Sequence, residues 1–145
     1  MNLTTKYHKA IDDHVRHTRG SKTVCVSTCL NYLGIPLDSY HYTSSNKNRD
    51  AWKNVLRKHG YSIRSRMSEI RTSKARTTMT ELKRRLKASP YTSSDRFVVE
   101  GIQAKKAHLM ILDGNGEPII DTAVGRRWKI NGISLINGYN KKRAN

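Results

Sequence analysis

The apolar residues of this chain recur at helical spacing up to about residue 90 and at strand spacing after it. The helical segments are residues 4–17, the stretch that begins at Cys25, residues 50–59 and the run from Met79. A strand that begins at Tyr61 interrupts them. The later β runs are Phe97–Val99, His108–Leu112, Glu117–Ile120, Trp128–Ile130 and Ile133–Ile136. Helices first and short strands afterwards are typical of an α+β fold with an antiparallel sheet.

Cap and turn residues separate these segments. Glycine stops are expected at Gly34 and Gly60, because glycine readily adopts the left-handed conformation that ends a helix. Thr78 and Glu81 fit the capping box that opens a helix. Asn131-Gly132 is typical of a two-residue hairpin turn, so the sequence predicts separate strands on its two sides.

The length and the cysteine content predict one reduced domain. A chain of 145 residues has room for one core, and we expect a single domain over residues 1–139 with a frayed basic tail at 140–145. No apolar run reaches the 18 residues of a membrane span, and residues 1–6 lack the hydrophobic segment of a secretory signal. Two cysteines four residues apart on one helix are poorly placed for a disulfide. A cytoplasmic location is the expectation.

The net charge predicts an anionic partner. The chain carries 28 Lys and Arg against 11 Asp and Glu, a net charge of +17. Residues 46–90 hold 14 basic and 3 acidic residues, an excess of +11. Such an excess attracts nucleic acid, an acidic protein or an anionic surface, or else forms a solvated face without a ligand. The candidate polyanion-binding residues are Arg64, Arg66, Arg71, Lys74, Arg76, Lys83, Arg84 and Arg85.

Three residues in a particular chain order suggest thiol chemistry. Cys25 falls in the first turn of a predicted helix, His108 opens a strand, and Asp121 ends the next one. A helix N-terminus and a neighbouring imidazolium both lower the pKa of a thiol, which makes it a nucleophile. A carboxylate can then orient the imidazole through its other nitrogen. The sequence therefore predicts Cys25, His108 and Asp121 as a catalytic triad.

The stretch from Thr23 to Gly34, with its Cys-x-x-x-Cys-Leu run, resembles the nucleophile helix of the bacteriocin-processing, double-glycine-leader peptidases and their papain-like relatives. The segment from His108 to Gly114 resembles the family's run of His, apolar residues and Asp-Gly. The resemblance implies a papain-like fold in which the nucleophile helix packs on the sheet that carries the histidine and the acid. It also implies that the first cysteine is the nucleophile and that Cys29 is structural.

The chain departs from that family at two positions that concern the oxyanion site. Val26 stands where the family carries glycine, and residues 18–22 contain no glutamine where the family has one that helps bind the oxyanion. The backbone N–H of Cys25 is one candidate donor. Ser21 and Thr23 are candidates for the second, on position alone.

Each of these residues also has a structural explanation. Cys25 fits an ordinary buried thiol and His108 a structural histidine at the border of an apolar strand. Asp113, close to Asp121, is better explained by its Asp-Gly turn. A zinc site built from Cys25, Cys29 and His108 is weakly supported, because no second close pair of ligands accompanies Cys-x-x-x-Cys.

The expected function is that of a small papain-like cysteine peptidase or thiol acyl-hydrolase acting on peptide or amide bonds. A peptide or protein is the expected substrate, and no metal or other cofactor is implied because the thiol supplies the reactive group. The alternative is an inactive scaffold that holds nucleic acid or an acidic partner on its basic face. Acyl transfer and peptidoglycan amide cleavage are a third option. The style of the sequence, not a motif, suggests a phage protein, packaged in the virion or acting in the host cytoplasm.

Overall fold

The computed structural model describes residues 25–36, 51–72, 77–103, 106–121 and 127–137. These residues form helices α1 (Cys25–Tyr32), α2 (Ala51–Lys58) and α3 (Met79–Lys87). The strands are β1 (Ser62–Ser65), β2 (Arg96–Gln103), β3 (Lys106–Asp113), β4 (Pro118–Ile120) and β5 (Lys129–Asn137). The α+β prediction is confirmed. Within the described ranges, no helix is long and apolar enough to cross a bilayer. The helix predicted at 4–17 and the tail at 140–145 lie outside the described residues.

The five strands form one antiparallel sheet in the order β1-β5-β2-β3-β4. The central strand β2 pairs with β3 on one side and with β5 on the other, so that Phe97 lies between Leu112 and Leu135. Strand β1 pairs with β5, which follows it by more than sixty residues, through Ser62 and Asn137. Strand β1 therefore forms one edge of the sheet through a long-range pairing, which brings the middle of the chain against β5.

Helices cover both faces of the sheet, because strand residues alternate between two core clusters. In β3, Leu109 and Ile111 pack with α1 and α2, whereas Met110 packs with α3. Leu82 and Leu86 of α3 are fully buried, and burying each side chain contributes about 1.5–3 kcal/mol. The result is a sheet between two helical layers, with its three longest strands, β5, β2 and β3, at the centre.

Glycines end the first two helices as predicted. Gly34 has a φ of +91° and Gly60 a φ of +87°. After α1, the N–H of Ile35 donates to the carbonyl of Leu30 at 3.0 Å, and the equivalent bond after α2 runs from Tyr61 to the carbonyl five residues earlier. These bonds belong to the Schellman motif, which satisfies carbonyls at a helix end.

Thr78 caps α3, in agreement with the sequence prediction. Its hydroxyl accepts a hydrogen bond from the N–H of Glu81 at 3.2 Å. The Glu81 carboxylate does not complete the reciprocal half of the capping box but binds Arg84 and Arg85. The cap therefore satisfies one of the free N–H groups of the first turn. The carboxylate of Glu81 instead accepts hydrogen bonds from arginines of the next turn.

The hairpin predicted at Asn131-Gly132 is wrong. Strand β5 runs through both residues, and β2 pairs with it through Glu100 to Gly132 and Gly101 to Ile130. Asn131 is therefore the extra residue of a β-bulge. A Cβ atom at residue 132 would lie 2.1 Å from Oε2 of Glu100. The glycine thus leaves room for the Glu100 side chain of the neighbouring strand and does not reverse the chain.

Candidate active site

Helix α1 is held against β3 at the position where its first residue meets the histidine. Cys29, one turn after Cys25, is 1% exposed, and its Sγ donates to the carbonyl of Leu109 at 3.6 Å. Leu109 follows His108 directly in β3. Since residues four apart share a helix face, the contact of Cys29 with Leu109 places Cys25 close to His108.

His108 is bonded to the acid that the sequence predicted. Its Nε2 lies 2.8 Å from Oδ1 of Asp121, which directly follows β4. Strand β4 pairs with β3 through Ile120 and Ile111, and this pairing brings the two side chains onto neighbouring strands. The side chains of the histidine and the aspartate are 5% and 14% exposed. A charge-assisted hydrogen bond shielded from water in this way is stronger than an exposed one.

Cys25 is the third member of the cluster. It is half-buried and packs against the core cluster of α1 and α2. Burial alone lowers the pKa of His108, but hydrogen bonds with Asp121 and Cys25, together with their negative charges, raise it to about 9. Because Asp121 occupies Nε2, the ring nitrogen left for the sulfur is Nδ1. Asp121 and Cys25 thus stabilise the charged form of the imidazole at neutral pH.

The two cysteines have different environments. Burial of Cys29, reinforced by the charges of Cys25 and Asp121, raises the pKa of its thiol well above the usual range. Cys29 is therefore held as a neutral thiol that packs and donates a weak hydrogen bond. Cys25, in contrast, is only half-buried and interacts with the imidazole of His108.

Trp128 stacks on the histidine, a contact that the sequence did not predict. The indole and imidazole centroids are 4.7 Å apart with 14° between the ring planes. Gly101 pairs with His108 across the sheet, and a Cβ at this glycine would lie 2.9 Å from Cβ of Trp128. The sequence identified the tryptophan only as the first residue of a β run. A glycine inside a strand signals a close approach and was the available clue.

The remaining predicted residues lie outside the triad. Ser21 and Thr23 fall outside the described residues, so the second oxyanion donor stays a prediction. Asp113 accepts hydrogen bonds from the backbone N–H groups of Asn115 and Glu117 at 2.8 and 3.0 Å, as its predicted turn requires. Among the described residues, no group of three or more His, Cys, Asp or Glu side chains is placed to hold a metal ion.

The structure brings together some of the candidate polyanion-binding residues. Arg71, Arg84 and Arg85 line one pocket. Arg66 instead pairs with Glu69, with 3.3 Å between its Nε and Oε2 of the acid. Lys83 lies on α3, and Arg64 is exposed on β1. Lys74 and Arg76 fall outside the described residues.

Comparison with protein-family models, with curated proteins and with solved structures finds no match for this chain. A function for this chain is therefore inferred from the geometry of Cys25, His108 and Asp121.

Proposed function

We propose that the protein is a papain-like cysteine hydrolase that cleaves peptide or amide bonds. Cys25 is the nucleophile, His108 the general base and then acid, and Asp121 the residue that orients the imidazole. The observation that supports this most is the 2.8 Å bond between Asp121 and a buried histidine whose ring also interacts with the thiol. A purely structural histidine does not require both partners.

The first half of the reaction forms a thioester. At neutral pH, Nδ1 of His108 already holds the proton given up by Cys25, and the thiolate attacks the carbonyl carbon of the substrate. The S–C bond forms while the carbonyl electron pair moves onto oxygen, near the backbone N–H of Cys25. The C–N bond then breaks, and Nδ1 gives its proton to the departing amine. The hydrogen bond from Nε2 to Asp121 keeps the ring oriented through both transfers.

The second half releases the acid. His108 takes a proton from a water molecule, whose oxygen attacks the thioester carbon. The S–C bond breaks, the carboxylic acid leaves, and the thiolate of Cys25 is restored beside the proton on Nδ1. Cys29 takes no part, since it lies one turn further into the helix and is bonded to Leu109.

Selective alkylation tests this proposal without knowledge of the substrate. With iodoacetamide at about pH 6.5, we expect Cys25 to be modified faster than Cys29, because thiolate and access are both needed for reaction. Mass spectrometry of tryptic peptides separates the two. His108→Ala should remove the preference. His59→Ala is the matched control, because the ring of His59 lies against the carbonyl of Val55 at the end of α2.

Equal and slow modification of both cysteines in the wild-type protein would contradict the proposal and favour an inactive scaffold. Hydrolysis is then tested with an unfolded protein mixture as substrate. Release of new amino groups by the wild type, and its loss in Cys25→Ala, is the expected result. Selective alkylation together with hydrolysis that persists in Cys25→Ala would show that the reactive thiol is not the nucleophile.

A further inference from the structure

A second site lies at the end of α3, built from different residues. A pocket of about 480 Å³ is lined by Ile70, Arg71, Arg84, Arg85 and Ala88. Its volume falls within the range of small-ligand sites. Three of the five lining residues are arginines, and the other two are apolar. None of the proposed catalytic residues lines it, so a ligand here need not touch the thiol.

Hydrogen bonds hold the arginines side by side. Nε of Arg84 lies 3.1 Å from Oε2 of Glu81, and Nε of Arg85 lies 3.0 Å from Oε1 of the same carboxylate. Arg85 also donates to the backbone carbonyl of Arg71. Arg71 itself has a φ of 59°, in the left-handed region. The turn after β1 and the helix are therefore joined by a guanidinium group, and the forks are oriented before any ligand arrives.

The positive charges outnumber the negative ones at this face. Helix α3 carries four basic residues, Lys83, Arg84, Arg85 and Lys87, against the single acid Glu81. The Arg84 side chain is 68% exposed, and Lys87 is also exposed. The C-terminal end of a helix bears a partial negative charge that opposes anion binding. This partial charge is equivalent to about half an electron. The net charge of the four basic residues and Glu81 is larger, so the face as a whole attracts anions.

Guanidinium groups beside an apolar floor suit a nucleotide chain better than an acidic peptide. Each guanidinium group can hold phosphate oxygens through the N–H groups that Glu81 and the Arg71 carbonyl leave available, and its plane can also stack on a base. Ile70 and Ala88 add apolar surface for a sugar or a base within the same pocket. An acidic peptide would use the charges but not this surface. We propose that the pocket and the outer face of α3 bind the phosphate backbone of nucleic acid.

Binding of a fluorescent 20-base-pair DNA duplex by the full chain tests the proposal. Arg84→Gln/Arg85→Gln should weaken binding, and its matched control Arg57→Gln/Lys58→Gln removes two exposed charges from α2. Each lost phosphate contact lowers the slope of log K against log salt by about 0.9. Loss of two contacts should therefore make the fall in affinity between about 50 and 200 mM salt about tenfold smaller. The control should keep the wild-type slope.

A gain of affinity provides a test that misfolding cannot imitate. Glu81→Gln removes the opposing charge but keeps a side-chain oxygen that can accept from both arginines, so binding should tighten severalfold. Glu117→Gln, which removes an exposed acid outside the pocket, should give a smaller gain. Equal weakening by the two double variants, or no gain from Glu81→Gln, would overturn the proposal. Binding of polyglutamate in place of DNA would overturn it too, in favour of an acidic protein. Alkylation of Cys25 in the same variants should remain as in the wild type, which separates this test from that of the hydrolase.

Discussion

Replacing Asp121 with asparagine should reduce the loss of stability at alkaline pH. His108 is 7% exposed, and its pKa rises from the ordinary 6.5 to about 9, against the opposing effect of burial, through Asp121 and Cys25. A raised pKa stabilises the folded state fully below about pH 6.5, and this contribution is lost as the pH rises through about 9. The difference between a pKa of 6.5 and one of about 9 corresponds to about 3 kcal/mol in the free energy of unfolding.

The assay is denaturant unfolding at about pH 6.5 and pH 9.5 in a Cys25→Ala background, which removes the titration of that thiol. The background protein should lose part of the 3 kcal/mol over this range, and adding Asp121→Asn should remove most of that loss. Lysines and tyrosines titrate in both proteins and cancel in the comparison. If the two proteins show the same pH dependence, Asp121 does not stabilise the charged form of His108. If the double variant does not fold, an NMR titration of His108 in the wild-type protein replaces the unfolding experiment. A measured pKa at or below 6.5 for His108 would then contradict the prediction.

Two further substitutions test the packing around the sites. Gly101→Ala should destabilise the fold by about 1–3 kcal/mol, because the new methyl group overlaps Trp128. Trp128→Gly, which removes Cβ together with the indole, should relieve that overlap, so the double variant should be less destabilised than the sum of the single ones, and additive losses would contradict the contact. Thr78→Ala should cost about 1 kcal/mol through loss of the cap on Glu81. Thr78→Ser should cost much less in the same unfolding experiment, and equal losses would argue against the cap.

The helix boundaries could be predicted because their causes are local. Gly60 and Thr78 act on backbone groups within a few residues of themselves, so their roles can be read from adjacent positions. The same holds for Asp113, whose carboxylate bonds the turn that follows it. In each case, the predicted residue makes the predicted contact.

The strand pairing could not be predicted from such local information. The pairing of Ser62 with Asn137 depends on the whole intervening chain. Asn131-Gly132 contains the residues of a hairpin turn, yet Gly132 lies opposite Glu100 within one continuous strand. At this position the pairing with β2 determines the structure, although the two residues have a high propensity for a turn. The missing side chain of Gly132 leaves room for Glu100.

The candidate site was predictable in its chemistry but not in its surroundings. Cys25, His108 and Asp121 could be selected as candidates because a thiol, an imidazole and a carboxylate are the groups that thiol catalysis uses. The stacking of Trp128 depends on the register that sets Gly101 opposite His108, and no spacing along the chain contains that information. Specific contacts around a site follow from the tertiary fold, whereas the reactive groups can be recognised by type.

The contact between α1 and β3 has a consequence for the biogenesis of the protein. Cys29 and Leu109 are 80 residues apart, and an eight-residue helix such as α1 is marginal by itself in water. The helix therefore forms stably only after the sheet exists to receive it. A growing or partly unfolded chain carries an ordinary thiol at Cys25, without an imidazole beside it. Under the proposed function, reactivity arises only when folding is complete, which protects the newly synthesised chain from its own nucleophile.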